Sequence, residues 1–290
     1  MSKYSKSWFD YKRLSDASTS LDGVDFNSTT IGSNKDLLQR CSVIRVPFRN
    51  LARATVSLPL GGFIFIVIWA MLTDLEAATY THCGVRNYLP SLSAAMGGFS
   101  LSQTVWRVCI ALHAAPRFIV TGMYYRYLKS IVFGRHVIWA ATACLLNVLE
   151  NLGLIGLTYV SSKENYRIHE KCFIIFMVCS ELYMVIMCLL LHRCRNIPAT
   201  LLESKSLRVK VTLVLVNLVS FALAGYTFVR HNAYCEEGMY TLFAFLEYIV
   251  ILTNMGFHMT AFWDFYDKVI TIDLCNLNRL RTTLNLNLPY

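Results

Sequence analysis

The sequence predicts an all-α polytopic membrane protein: a bundle of six transmembrane helices with both termini cytosolic. Six apolar stretches each have about the 20 residues that cross the hydrocarbon core as a helix. The 290 residues are 55% hydrophobic and only 16% charged, where soluble domains average roughly 25% charged. Basic residues flank the stretches on one side far more than on the other, which fixes the orientation.

Taken in order, residues 1–54 are polar and basic, without the apolar core or small-residue cleavage site of a signal peptide. They are expected to form a cytosolic, largely disordered tail, with 36–54 lying on the membrane surface. The transmembrane domain, 55–265, has spans at 55–75, 105–125, 137–160, 171–191, 211–229 and 240–262, and residues 266–290 form a second cytosolic tail. Spans this polar need neighbouring helices to shield them, which argues for one bundle. Arg40, Arg45, Arg49 and Arg53 precede the first span; Arg126, Lys129 and Arg135 follow the second. Arg193, Arg195, Lys205, Arg208 and Lys210 lie between the fourth and fifth, and Lys268, Arg279 and Arg281 follow the sixth. The opposite side has only Arg86, Lys163, Arg167, Lys171 and Arg230. The 76–104 loop is therefore lumenal.

The net charge of +9 sits on the side that faces anionic lipid and does not call for nucleic acid. The sequon at Asn27 falls in the cytosolic tail and is expected to be unused. Of the ten cysteines, only Cys83 and Cys235 lie in lumenal loops, where an oxidising compartment favours a disulfide between them. His82 and His231 stand close to these cysteines and leave a lumenal zinc site as the alternative. No metal or cofactor is otherwise expected.

Polar residues inside the spans carry the functional signal, because a charge near the bilayer centre costs a few kcal/mol or more. Span two holds Arg107, His113 and Arg117; span three Asn147, Glu150 and Asn151; span six Glu247, Asn254 and His258. At about 1.5 Å per residue from the lumenal ends, Arg107 lies near 4 Å, Glu247 near 10 Å, His113 near 13 Å and Glu150 near 15 Å. Arg117, Asn147 and Asn254 fall at about 20 Å on the same scale. Tyr240, Glu247, Asn254 and His258 share one helical stripe, and His113 and Arg117 face the same way. His113, Glu150 and Glu247 are thus expected to converge as a catalytic set, with His113 as base and an acid orienting it. Arg107 or Arg117 would pair with an acid or hold lipid phosphate. Asn147, Asn254 and His258 are the supporting polar layer. The competing structural reading is that these groups only lock helices together. Glu181 in span four reads as a local partner for an arginine. Catalytic signatures of soluble-face acyltransferases, serine hydrolases and zinc helices are missing from the sequence, as are the internal repeats of many transporters.

Several stretches resemble the post-GPI attachment to proteins factor 2 family, within a larger group of six-span proteins that includes the DRAM-type autophagy modulators. They are His82-Cys83-Gly84-Val85 with Asn87-Tyr88-Leu89-Pro90-Ser91, Trp106-Arg107, Leu112-His113, Ala115-Pro116-Arg117-Phe118, Glu150-Asn151-Leu152 and Ile168-His169-Glu170. The densest similarity runs from Arg230-His231-Asn232 and Tyr234-Cys235-Glu236 through Leu246-Glu247-Tyr248 to Asn254, His258 and Trp263-Asp264-Phe265. It covers roughly 50–267. Arg86 stands where the family pattern has proline, the N-terminal tail is long, and Glu181 is outside the pattern.

The resemblance implies a multi-pass protein of the Golgi or ER membrane, acting late in GPI-anchor lipid remodelling. There lyso-GPI regains a saturated acyl chain, supporting surface expression of GPI-anchored proteins. The implied partners are GPI lipid or GPI-anchored proteins, the membrane, and an acyl donor, either acyl-CoA or phospholipid. An acyltransferase is the favoured activity. A non-catalytic lipid-binding or chaperoning subunit is the alternative from a second class, and a transporter or channel the third.

Overall fold

The computed structural model describes residues 43–132 and 134–273. Strand β1 (Val43–Pro47) leads into helix α1 (Phe48–Thr73), followed by the short helices α2 (Leu75–Thr79) and α3 (Leu92–Gly97). The long helices α4 (Ser100–Ile131), α5 (Val137–Tyr159), α6 (Tyr166–Arg193), α7 (Leu201–Tyr234) and α8 (Met239–Met259) come next. Helix α9 (Ala261–Asp264) and strand β2 (Val269–Asp273) close the described chain, and β2 pairs with β1. Arg45–Thr271 forms one compact unit.

Local sequence explains the helix starts. Asn165 accepts from the Ile168 amide ahead of α6, and Thr200 and Glu203 form a reciprocal capping box ahead of α7, each satisfying amides that the first turn leaves without partners. Helix α7 ends where Cys235 adopts the left-handed conformation, φ 51°, and Gly238 repeats it before α8. The reversal aims Cys235 back at the loop that carries Cys83.

Helix α1 packs along α4, α4 along α5, α5 along α6, and α7 along α8. The α5–α6 approach is set by Gly153, where an added Cβ would come within 2.9 Å of the Phe176 backbone nitrogen. One apolar core gathers Phe48, Tyr124, Leu128, Tyr183, Met187 and Phe257. A second, towards the 75–99 end, gathers Phe63, Ile66, Met96, Trp106, Ile110 and Leu154. Outward faces are also apolar: Ile64, Val108, Leu112, Ile119, Leu145 and Leu215 are all exposed, as a lipid-facing surface requires. Five long helices are apolar enough to cross a membrane by length and composition. The remaining one, α4, has 32 residues and carries the arginines of the candidate site.

The helices outrun the expected spans: α1 starts seven residues before position 55, and α7 starts ten before position 211. Apolar periodicity marks the lipid-crossing part, whereas capping residues set where the helix begins. Within the expected tails, residues 43–47 and 269–273 pair as strands. Lys210, counted among the flanking cytosolic charges, is fully buried and donates to Asp264 Oδ2 at 2.6 Å and Ser206 Oγ at 2.7 Å. Tyr124 donates to the same Asp264 oxygen at 2.7 Å. Asn27 and most of both tails lie outside the described residues.

Candidate functional site

A polar centre joins four helices. Glu150 of α5 has no solvent exposure, and its Oε1 lies 2.6 Å from Arg117 Nη2 of α4. The same oxygen accepts from Asn254 Nδ2 of α8 at 3.1 Å and lies 3.1 Å from His258 Nε2. Asn254 also donates to Ser180 Oγ of α6 at 2.6 Å. His258 Nε2 is also 2.5 Å from Arg117 Nη2, so one ring nitrogen faces both the guanidinium and the carboxylate. Tyr183 stacks flat on the imidazole, with centroids 5.6 Å apart and planes at 5°. Asn147 accepts from Thr121 Oγ1 at 2.9 Å, and Asn151 donates to the Ala114 carbonyl at 3.2 Å. A buried carboxylate and guanidinium facing one another cancel charge where water is absent, which ties α4, α5, α6 and α8 into one register.

His113 is pinned elsewhere. Its Nδ1 lies 2.7 Å from the Thr55 carbonyl of α1. In an α-helix that carbonyl would accept from residue 59, but residue 59 is Pro59 and has no N–H. A main-chain acceptor left open in an apolar layer needs a donor, and the His113 Nδ1–H supplies it. The proton is thereby held on Nδ1, and Nε2 makes no hydrogen bond among the described residues.

Glu247 faces residues 90–92. Its Oε2 accepts from the Leu92 amide at 2.9 Å, beside Tyr240, which donates to Ser91 Oγ at 2.8 Å, and Tyr248, which donates to the Pro90 carbonyl at 2.5 Å. Helix α8 thus grips residues 90–92 at one end and meets Glu150 at the other.

At the same end, Ser93 Oγ lies 3.2 Å from His169 Nε2, and His169 Nδ1 lies 2.7 Å from the Val160 carbonyl. Arg107 donates from Nη2 to the Tyr159 carbonyl at 3.0 Å and to Glu164 Oε2 at 3.0 Å. Trp106 Nε1 donates to Thr158 Oγ1 at 3.2 Å. Glu164 sits outside the membrane-spanning helices, and the Ser161 amide together with Arg107 holds its carboxyl below the ordinary range.

Cys83 and Cys235 are joined by a disulfide, Cα–Cα 5.2 Å, across 152 residues of sequence. The His82 and His231 rings flank it with centroids 5.9 Å apart. His82, Cys83 and Cys235 are the set of potential metal ligands that stands close together among the described residues. With the sulfurs bonded to one another, neither is a thiolate, so the zinc alternative loses two donors.

The Frag1/DRAM/Sfk1/Cwh43P N-terminal domain model matches residues 47–268. The chain belongs to that family. Post-GPI attachment to proteins factor 2 of Drosophila pseudoobscura pseudoobscura is 49% identical over 229 residues, covering 79% of this chain and 90% of that protein. Acyltransferase PGAP2 of Xenopus tropicalis is 44% identical over 238 residues, covering 80% of this chain and 92% of that protein. Protein cwh43 of Schizosaccharomyces pombe (strain 972 / ATCC 24843) is 27% identical over 213 residues, covering 70% of this chain and 20% of its own length. No solved structure matches.

On this Frag1-family scaffold the expected residues divide among three places. Arg117, Glu150, Asn254 and His258 meet, with Asn147 on the neighbouring turn. His113, Glu150 and Glu247 share no hydrogen bond: each is held by different atoms. Arg107 is occupied by Glu164 and by the Thr158 and Tyr159 carbonyls at the end of α5 rather than by a buried acid. Glu181 has no arginine, and both its oxygens lack partners among the described residues. The residues that sequence reasoning did not single out are Thr55, Ser93, His169, Ser180 and Tyr183. Pro59 four residues after Thr55 was the available signal for the first. His169 was visible within Ile168-His169-Glu170, but its neighbour Ser93 lies 76 positions away and no spacing rule joins them.

Proposed function

We propose that this chain restores an acyl chain to lyso-GPI during GPI-anchor remodelling, in a Golgi or ER membrane with both termini cytosolic. The similarity to Post-GPI attachment to proteins factor 2 and to Acyltransferase PGAP2 over nearly their whole lengths supports this reading. Acyl transfer to a hydroxyl is helped by a general base, most often a neutral imidazole with one nitrogen open to that hydroxyl. Two histidines of the bundle fit that description in the same way, each with its Nδ1–H held by a main-chain carbonyl: His113 on Thr55 and His169 on Val160. This duplicated arrangement is the observation that carries the chemistry. The Arg117–Glu150–His258–Asn254 centre holds the helices that present it. Arg107, a quarter exposed and paired with the half-exposed Glu164, is the cation placed to exchange its partner for a lipid phosphate.

The test is acyl transfer to a lyso-GPI acceptor by the purified full chain in liposomes, with phospholipid or acyl-CoA as donor. Transfer by the pure protein is the expected result. Restoration of remodelling in deficient cells without transfer by the pure protein would favour the chaperoning-subunit reading. His113→Ala and His169→Ala, compared at equal protein levels, decide which imidazole handles the proton.

A further inference from the structure

Ser93 lies in α3, on the lumenal segment that α8 holds in place. Its hydroxyl stands 3.2 Å from His169 Nε2, while the opposite ring nitrogen faces the Val160 carbonyl at 2.7 Å. Only an Nδ1–H can donate to a carbonyl, so the neutral ring carries its lone pair on Nε2, aimed at Ser93. Val160 caps the end of α5, where a terminal carbonyl has no helical donor, so the acceptor that orients the ring is fixed by the backbone. His169 is 6% exposed, whereas Ser93 is only partly buried. The base is shielded and the hydroxyl can be reached.

A serine whose proton is taken by an imidazole, itself oriented by a third acceptor on Nδ1–H, is the constellation of covalent acyl transfer. Here a main-chain carbonyl stands where a carboxylate is more usual. The surroundings suit a lipid ester. Leu92 and Met96, on either side of Ser93 in sequence, join the apolar cluster of Phe63, Trp106 and Ile110. Arg107 binds the Tyr159 carbonyl, one residue before Val160, and Glu164.

We propose that Ser93 is an acyl-accepting nucleophile activated by His169, and that its donor is the acyl ester of a phospholipid. Resting on the acyl-transfer reading above, this adds a covalent intermediate to it. In the first half-reaction Ser93 Oγ attacks the ester carbonyl as its proton passes to His169 Nε2. The ester C–O bond then breaks, and the departing lysophospholipid oxygen takes that proton. In the second, the acceptor hydroxyl gives its proton to Nε2 and attacks the Ser93 ester. The Oγ–C bond breaks, and Ser93 recovers the proton. No oxidant, metal or further reactant enters the balance.

The experiment incubates the purified full chain with a phospholipid bearing a heavy-isotope acyl chain and analyses the quenched protein by peptide mass spectrometry. A parallel sample receives a fluorophosphonate probe. Wild type is expected to carry one heavy acyl group, or one probe, on the peptide containing Ser93. Ser93→Ala should carry neither, and His169→Gln should label at least about 100-fold more slowly, in line with loss of a general base. Ser93→Cys keeps the volume and a nucleophile, so it should trap a thioester that hydroxylamine cleaves. Melting temperature and the intact Cys83–Cys235 disulfide confirm that each variant is folded. Heavy acyl-CoA in place of phospholipid separates the two donor sources: labelling from acyl-CoA alone overturns the phospholipid assignment. Acyl transfer by wild type with no adduct on Ser93, and unimpaired transfer by Ser93→Ala, overturn the nucleophile while leaving the function standing. An adduct without transfer to lyso-GPI sinks the function and leaves the nucleophile. Neither adduct nor probe on folded wild type overturns the inference outright.

Discussion

Replacing Glu150 by Gln removes one charge and almost no volume, so its effect isolates the electrostatics of the centre. Glu150 is wholly buried and the Arg117 side chain 6% exposed, so the guanidinium cannot turn to water when its counter-charge goes. Breaking a buried pair from one side costs about 3–5 kcal/mol, because a desolvated charge is left behind. The glutamine oxygen still accepts from Asn254 and Arg117, which places the loss near the lower figure, about 3 kcal/mol, or roughly two decades in the folding equilibrium. Unfolding by SDS titration of the protein in mixed micelles, followed by tryptophan fluorescence, reads this directly. Arg117→Met in the Glu150→Leu background should recover most of the loss, since two apolar groups need no partner. A Glu150→Gln protein within about 0.5 kcal/mol of wild type, a difference typical of unimportant surface sites, would refute the centre as a structural lock. So would a double variant no better than the single ones.

Other perturbations read other parts of the fold. Cys83→Ser and Cys235→Ser should each destabilise by up to about 4–5 kcal/mol, the chain-entropy limit for so long a loop; their double variant should lose no more than either, as non-reducing gels and thermal melts can establish. Gly153→Leu should separate α5 from α6, since its Cβ already meets Phe176 backbone, and cost about 1–3 kcal/mol, visible as a lower melting temperature. Pro59→Ala should return a local N–H to the Thr55 carbonyl, so His113→Ala should cost about 1 kcal/mol less in that background than in wild type. A double-mutant cycle by the same micelle titration measures this, and zero coupling would reject the account of His113 as the donor that replaces a missing amide.

The architecture was legible because the bilayer allows few solutions. Stretches such as Tyr240–Phe262 need about 20 apolar residues whatever the protein does, and the buried ionisable groups within them need partners. That reasoning found Arg117, Glu150, Asn254 and His258 as polar members of three helices. The expected pairing of Arg117 with an acid is present, but depth estimated from helix rise misplaced the other partners. It put Glu150 with His113 and Glu247, whereas the actual partners are Arg117, Asn254 and His258. A long arginine and an offset between helices shift contacts by more than the few ångströms that separated the candidates. Capping explains why helices extend beyond the apolar stretches: Asn165 and Thr200 start helices well before hydropathy rises.

Main-chain carbonyls account for what stayed hidden. Sequence patterns pair side chains with side chains, so His113 was matched to acids, yet the atom that orients it belongs to Thr55 and is open because Pro59 follows one turn later. The Val160 carbonyl treats His169 in the same way, and it is open because α5 ends there. In an apolar medium an open carbonyl, like a buried acid, calls for a donor, and prolines and helix ends are the positions where the sequence announces one. A histidine on the facing helix then gains an oriented Nδ1–H and a free or hydroxyl-facing Nε2 without any carboxylate. The absence of an acid beside a histidine is therefore no argument against a base in this bundle, and Ser93 next to His169 is where that reasoning meets a nucleophile.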